Sequence, residues 1–230
     1  MTITKGVMMI DWLAGFVDPL NQALFHLGSD AVSRAEALGF VTGGLCVWLT
    51  VRGHIANFAV GIANSGFFLV LFASSRLWAD SGLQIVFIAL GVLGWWQWLH
   101  GGAERRALVV ERASTRMLAL SLAAVVVLTL GLTLLLRATN DAAPFWDALT
   151  TALSLTAQWL LNTKKIETWY FWIAADCIYV PLYLTKDLNL TAVVYVLFLG
   201  LCVAGLLAWR RAYTAARPTA DPALEPVVRA

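Results

Sequence analysis

One carboxylate stands deep inside an apolar stretch of this chain: Asp176, about 15 Å from Ile166 at 1.5 Å per helical residue. Trp169, Trp172, Asp176, Tyr179 and Tyr183 recur every three or four residues, so they line one helix face. The stripe mixes aromatic rings with a carboxylate near mid-membrane, where a small polar solute could use them. Asp176 could equally be a hydrogen-bond partner between packed helices, and the tryptophans members of an interfacial belt.

Amides supply the second kind of polar group. Asn57 and Asn64 are seven residues apart and share a face, Gln158 and Asn162 are four apart, and Gln84 and Gln97 stand on another segment, the latter within Trp95-Trp96-Gln97-Trp98. Asn64 lies about 15 Å into its segment, matching the depth of Asp176. Each amide can hold a solute hydroxyl or bond a neighbouring helix. Trp48, Trp78, Trp98, Trp146 and Trp209 fall at segment ends and read as belt residues.

Nothing here builds a reaction centre. His26, His54 and His100 have no partners at metal spacing, and no glycine-rich phosphate loop follows a strand. Cys46, Cys177 and Cys202 lie singly in apolar stretches and read as buried small hydrophobes. The expectation is no enzyme, no metal and no cofactor.

The elements that position these groups are set by composition. Of 230 residues, 60% are hydrophobic and 13% charged, with a net charge of +2, which excludes an ordinary soluble domain and a nucleic-acid binder. Apolar runs long enough to cross about 30 Å of hydrocarbon predict helices at about 35–52, 54–75, 82–100, 117–136, 146–163, 167–184 and 189–209. Residues 1–33 read as an interfacial or extra helix carrying Trp12 and Phe16, residues 7–27 being the stretch that would span, with no signal peptide. Residues 212–230 read as a disordered cytoplasmic tail.

Arg52, Arg105, Arg106, Arg112, Arg116, Lys164, Lys165, Arg210, Arg211 and Arg217 alternate with loops holding only Arg34, Arg76, Arg137 and Lys186. The positive-inside rule puts the first set and the C-terminus in the cytoplasm.

The chain also matches itself without gaps at a displacement of 111 positions: Trp48 falls on Trp159, Ile62 on Ile173, Phe87 on Phe198, Gly94 on Gly205 and Trp98 on Trp209. The fold class expected is therefore an all-α membrane protein of seven transmembrane helices, two parallel three-helix repeats plus a linker helix, with an extra N-terminal helix. The first repeat covers 34–102, a cytoplasmic loop and linker helix 103–145, and the second repeat 146–211. Such repeats hold solute near the midplane between them. Gly43, Gly44, Gly61 and Gly66 would allow close helix contact during rocking, or serve as static packing positions.

Over roughly residues 35 to 211 the chain resembles the PnuC-type vitamin transporters, most closely the bacterial nicotinamide riboside transporters. The resemblance rests on Asn57-Phe58, Gly61-Ile62-Ala63-Asn64, Gly94-Trp95-Trp96-Gln97-Trp98, Ala157-Gln158-Trp159-Leu160-Leu161, Lys164-Lys165-Ile166-Glu167, Trp169-x-x-Trp172-x-x-x-Asp176, Tyr183-Leu184 and Leu190-Thr191-Ala192. It implies a three-plus-one-plus-three fold like that of the SWEET sugar carriers, a homotrimer in the bacterial inner membrane, and facilitated diffusion. It also implies trapping of the imported nucleoside by a cytoplasmic nicotinamide riboside kinase.

Family sites use tryptophan and amide residues near mid-membrane, which the resemblance carries over to Trp169, Trp172, Gln97, Asn64 and Gln158, with Asp176 as a companion. The candidate set, with the residues read directly, is Asn57, Asn64, Gln97, Gln158, Asn162, Trp169, Trp172, Asp176 and Tyr179. Thiamine and riboflavin are the alternative solutes within the family. A receptor that binds without moving its ligand is the alternative class.

Overall fold

The computed structural model describes residues 19–20, 22–27, 30–74, 78–101, 108–138, 143–185 and 189–216. Two short strands, β1 (Ala23–Leu27) and β2 (Asp30–Ser33), form an antiparallel hairpin ahead of the helices. This corrects the expected helix near Phe25: Gly28-Ser29 between two β-prone runs is a hairpin signal that outranks the short apolar stretch. The rest of the expected N-terminal helix, residues 1–18, lies outside the described residues.

Seven helices follow: α1 (Arg34–Val51), α2 (Ala56–Ser74), α3 (Trp78–His100), α4 (Thr115–Ala138), α5 (Pro144–Asn162), α6 (Thr168–Thr185) and α7 (Asn189–Ala215). α1 starts at a capping box, in which Ser33 N donates to Glu36 Oε2 at 2.9 Å and Glu36 N donates to Ser33 Oγ at 3.1 Å. α5 starts at Pro144, whose missing N–H costs nothing there. α7 runs on to Ala215, so residues 212–215 are helical and not tail; residues 217–230 lie outside the described set.

α1 packs on α2, α2 on α3, α3 on α5, α5 on α6, α6 on α7 and α7 back on α1, which closes a ring of six helices. α4 stands outside the ring against α5. Its narrow buried stripe, Ser121, Val125, Thr129 and Thr133, faces α5, while Val126, Val127, Leu130 and Leu134 point outward. Such an apolar exterior is the arrangement of a chain whose surroundings are hydrocarbon. Ala56–Ser74, Asp80–His100, Thr115–Ala138 and Asn189–Ala215 each have the length and apolarity to cross a bilayer. The protein is a multi-pass membrane protein.

Two tight turns are built alike, 111 positions apart. After α1, Gly53 takes φ 62°, with Gly53 N donating to Thr50 O and His54 N to Leu49 O, both at 2.9 Å. After α5, Lys164 takes φ 50°, with Lys164 N donating to Leu161 O at 2.9 Å and Lys165 N to Leu160 O at 3.0 Å.

The segment before α4 is strapped to this second turn. Glu111 pairs with Lys165 as an isolated bridge, their side chains meet at 2.6 Å, and Ala113 N donates to the Glu167 carboxylate at 2.7 Å. Lys164 Nζ donates to Leu108 O at 2.9 Å and lies 4.1 Å from the Trp98 ring centroid; burial lowers the pKa of this ammonium.

Candidate functional site

The six-helix ring encloses a cavity of about 600 Å³. α6 lays Trp169, Trp172, Asp176, Tyr179 and Tyr183 along it, the stripe expected from their spacing. Trp169 is 1% exposed and packs edge-on against Trp209, with ring centroids 5.5 Å apart at 89°. Its Nε1 finds no hydrogen-bond partner among the described residues, and neither does Asp176 Oδ2, although Asp176 is only 5% exposed. Both residues line the cavity, and unpaired buried polar atoms in its wall are candidates for pairing with a solute.

The amides divide into two groups. Asn57, Asn64 and Gln158 line the cavity; Gln97 and Asn162 do not. Asn57 Nδ2 donates to His54 O at 2.8 Å, and Asn64 Oδ1 accepts from the Thr42 hydroxyl at 2.7 Å. Asn162 is fully buried behind the wall, accepting from Gln158 Nε2 at 3.1 Å and donating to Leu90 O at 2.9 Å, so it ties α5 to α3 and holds Gln158 in place. Gln97 has a buried Oε1 with no partner among the described residues and does not line the cavity.

Three carboxylates, Glu36, Asp80 and Asp176, line the cavity, and no Lys, Arg or His does so among the described residues. Glu36 also serves the α1 cap. The cavity therefore favours a cation and disfavours a phosphate.

Sequence reading missed Glu36, Asp80, Thr191, Tyr195 and Phe198 as lining residues. The internal displacement held the signal, because most lining residues fall in pairs 111 apart: Phe58 with Trp169, Gly61 with Trp172, Ser65 with Asp176, Phe68 with Tyr179, Gln84 with Tyr195 and Gly91 with Cys202.

The tryptophans expected in a belt require correction. Trp98 and Trp209 are buried, not interfacial. Trp98 Nε1 donates to Leu161 O at 3.3 Å and Trp209 Nε1 to Thr50 O at 3.2 Å, bonds that cross between α3 and α5 and between α7 and α1. Phe58 meets Trp98 edge-on at 5.0 Å as Trp169 meets Trp209. These four rings close one end of the cavity; Glu36, Asp80, Thr191 and Tyr183 stand toward the other. Two further expectations change. Cys177 faces outward, and Gly66 has no neighbour within 4 Å to approach. Cys202 is buried as expected.

Comparison with known proteins agrees with this architecture. The chain is 26% identical over 208 residues to the nicotinamide riboside transporter PnuC of Escherichia coli (strain K12), covering 79% of this chain and 87% of that protein. It is 25% identical over 213 residues to the riboflavin/roseoflavin transporter RibM of Streptomyces davaonensis, covering 90% and 97%. A crystal structure of the vitamin B3 transporter PnuC superposes with a TM-score of 0.64 at 22% identity, over 92% of this chain and 91% of that one, which establishes the shared fold. The family profile described as Nicotinamide mononucleotide transporter matches residues 33–211, and the chain belongs to that transporter family.

Proposed function

We propose that this protein carries nicotinamide riboside across the bacterial inner membrane by facilitated diffusion. The observation that carries the reading is the unpartnered Asp176 carboxylate oxygen, in a cavity lined by tryptophan rings and by no Lys, Arg or His among the described residues. Nicotinamide riboside presents a cationic pyridinium ring and a neutral ribose. The ring suits stacking on Trp169 or Trp172, where a cation over an indole gains about 0.5–2 kcal/mol. Asn57, Asn64 and Gln158 supply groups for the ribose hydroxyls, and Tyr179 borders the carboxylate. A nucleotide's phosphate would face three carboxylates and no Lys, Arg or His among the described lining residues.

In this reading seven spans form two parallel units, α1–α3 and α5–α7, joined by α4 as in the SWEET carriers. The reciprocal Trp98 and Trp209 bonds and the alike turns at Gly53 and Lys164 support that relation. The end closed by the four rings is cytoplasmic, as is the C-terminus, in keeping with Arg52, Lys164, Lys165, Arg210 and Arg211 at that end. Alternating access is a rocking of one unit against the other that breaks the two tryptophan bonds in turn. A homotrimeric assembly and trapping by a cytoplasmic nicotinamide riboside kinase complete the proposal, both resting on the family resemblance.

The likeness to RibM supports a second reading, riboflavin as solute. Titration calorimetry of the purified protein against nicotinamide riboside, nicotinamide mononucleotide, thiamine and riboflavin separates them. Nicotinamide riboside should bind tightest, and tighter binding of riboflavin overturns the first reading. Uptake into proteoliposomes then distinguishes a carrier from a receptor, which would bind without accumulation.

A further inference from the structure

The cavity is longer than one vitamin-sized solute requires. From Trp169 to Tyr183 is four turns of α6, about 21 Å at 1.5 Å per residue, and both residues line it. Trp169, Trp172 and Asp176 occupy the half next to the closed end. Tyr183 stands two turns beyond Asp176, about 10 Å further out.

That outer half has its own chemistry. Tyr195 of α7 sets its ring against Tyr183, with centroids 5.1 Å apart, and Phe198 packs edge-on beneath it at 5.6 Å. Glu36 from the first turn of α1 and Asp80 from the first turn of α3 line the same mouth. The position equivalent to Tyr195 in the first half of the chain is Gln84, while those equivalent to Tyr183 and Phe198 are Phe72 and Phe87, which also line the cavity. Ring faces beside carboxylates recognise a planar aromatic cation, as aromatic cages do.

We infer that the outer half is a second binding position for such a cation, made by Tyr183 and Tyr195 under the field of Glu36 and Asp80. One solute waits at the mouth while another occupies Asp176. The outer position binds more weakly, because cation–π attraction falls where the site is wetter. The identity of the cation as nicotinamide riboside rests on the proposed function.

Equilibrium dialysis of the purified full-length protein against radiolabelled nicotinamide riboside, taken into the millimolar range, tests this. Two molecules per chain are expected, one tight and one weak. The double variant Tyr183→Leu with Tyr195→Leu should lose the weak class while a tight class remains, whereas Trp172→Ala should weaken the tight class more than the weak one. One molecule per wild-type chain at every concentration overturns the proposal, as does a weak class that survives in the double variant.

Should the double variant lose both classes, Tyr195→Phe and Tyr195→Leu decide. The first keeps the ring and the weak class, the second does not, and identical behaviour refutes the outer position. A wild type that binds no nicotinamide riboside removes the proposed substrate instead. The bare aromatic cation N-methylnicotinamide is then the probe, and its equal retention by wild type and Tyr195→Leu overturns the outer position.

Discussion

At Asp176 two large terms nearly cancel. Burying a carboxylate costs several kcal/mol, and a cation about 4 Å away returns about 4 kcal/mol at an effective dielectric of 20. The bound solute's charge therefore offsets the burial of the carboxylate, and the Asp176→Asn variant should discriminate by charge. We expect its affinity for nicotinamide riboside to fall about tenfold, or about 1.4 kcal/mol, while binding of neutral riboflavin is unchanged. Calorimetry with both solutes checks this, and an equal loss for the two would mean that Asp176 acts through packing. Trp172→Ala removes both ring face and apolar contact, so it should weaken nicotinamide riboside binding at least tenfold in a protein that still folds; unaltered affinity would take Trp172 out of the site. The α6 stripe was legible because three- and four-residue spacing alone puts its members on one face. Gln97 and Asn162 were not separable from Gln158 that way. Which amide meets the cavity depends on how α3 and α5 rotate against each other, and Asn162 is consumed by the Leu90 carbonyl, 72 positions away in sequence.

Helix contacts in this ring are set by where side chains are missing. A Cβ at Gly205 would overlap the Trp169 ring, and one at Gly94 would overlap Phe58 and Asn162, so both glycines admit an aromatic side chain against helix backbone. Gly66 has nothing within 4 Å. Gly205→Ala should therefore cost about 1–3 kcal/mol by overpacking and displace Trp169, with loss of binding. Gly66→Ala should be neutral or stabilising by up to about 1 kcal/mol through helix propensity. Thermal unfolding in detergent with and without nicotinamide riboside measures both, and an equal response of the two variants would show that the Trp169 contact does not matter. Helix positions were readable from apolar length, and the boundaries moved by only a few residues. Inward faces were harder to read: lipid-facing and core-facing residues are both apolar, so periodicity carries little contrast. Trp98 and Trp209 were misread for the same reason. A tryptophan at a helix end looks interfacial until a partner carbonyl, Leu161 O or Thr50 O, comes within reach of its Nε1.

Across the whole molecule, six helices turn apolar side chains outward and enclose a largely apolar, ring-lined cavity carrying a few polar groups, while α4 stays outside. In the proposed arrangement of two three-helix units, the odd helix between them gives both the same direction through the bilayer, in keeping with the reciprocal tryptophan bonds at one end. Among the described residues no nucleotide-binding loop is present to drive uptake. In the proposed reading, direction comes from the solute's own charge and from its removal inside. Moving one positive charge through 100 mV releases about 2.3 kcal/mol, which corresponds to about fiftyfold accumulation where 1.36 kcal/mol is tenfold. In proteoliposomes held at 100 mV, negative inside, nicotinamide riboside should therefore reach about fifty times its external concentration, and should equalise when the potential is collapsed. Accumulation that persists without a potential, or that follows an imposed pH gradient, would mean that a second ion travels with the vitamin and that the carrier is not a simple uniporter.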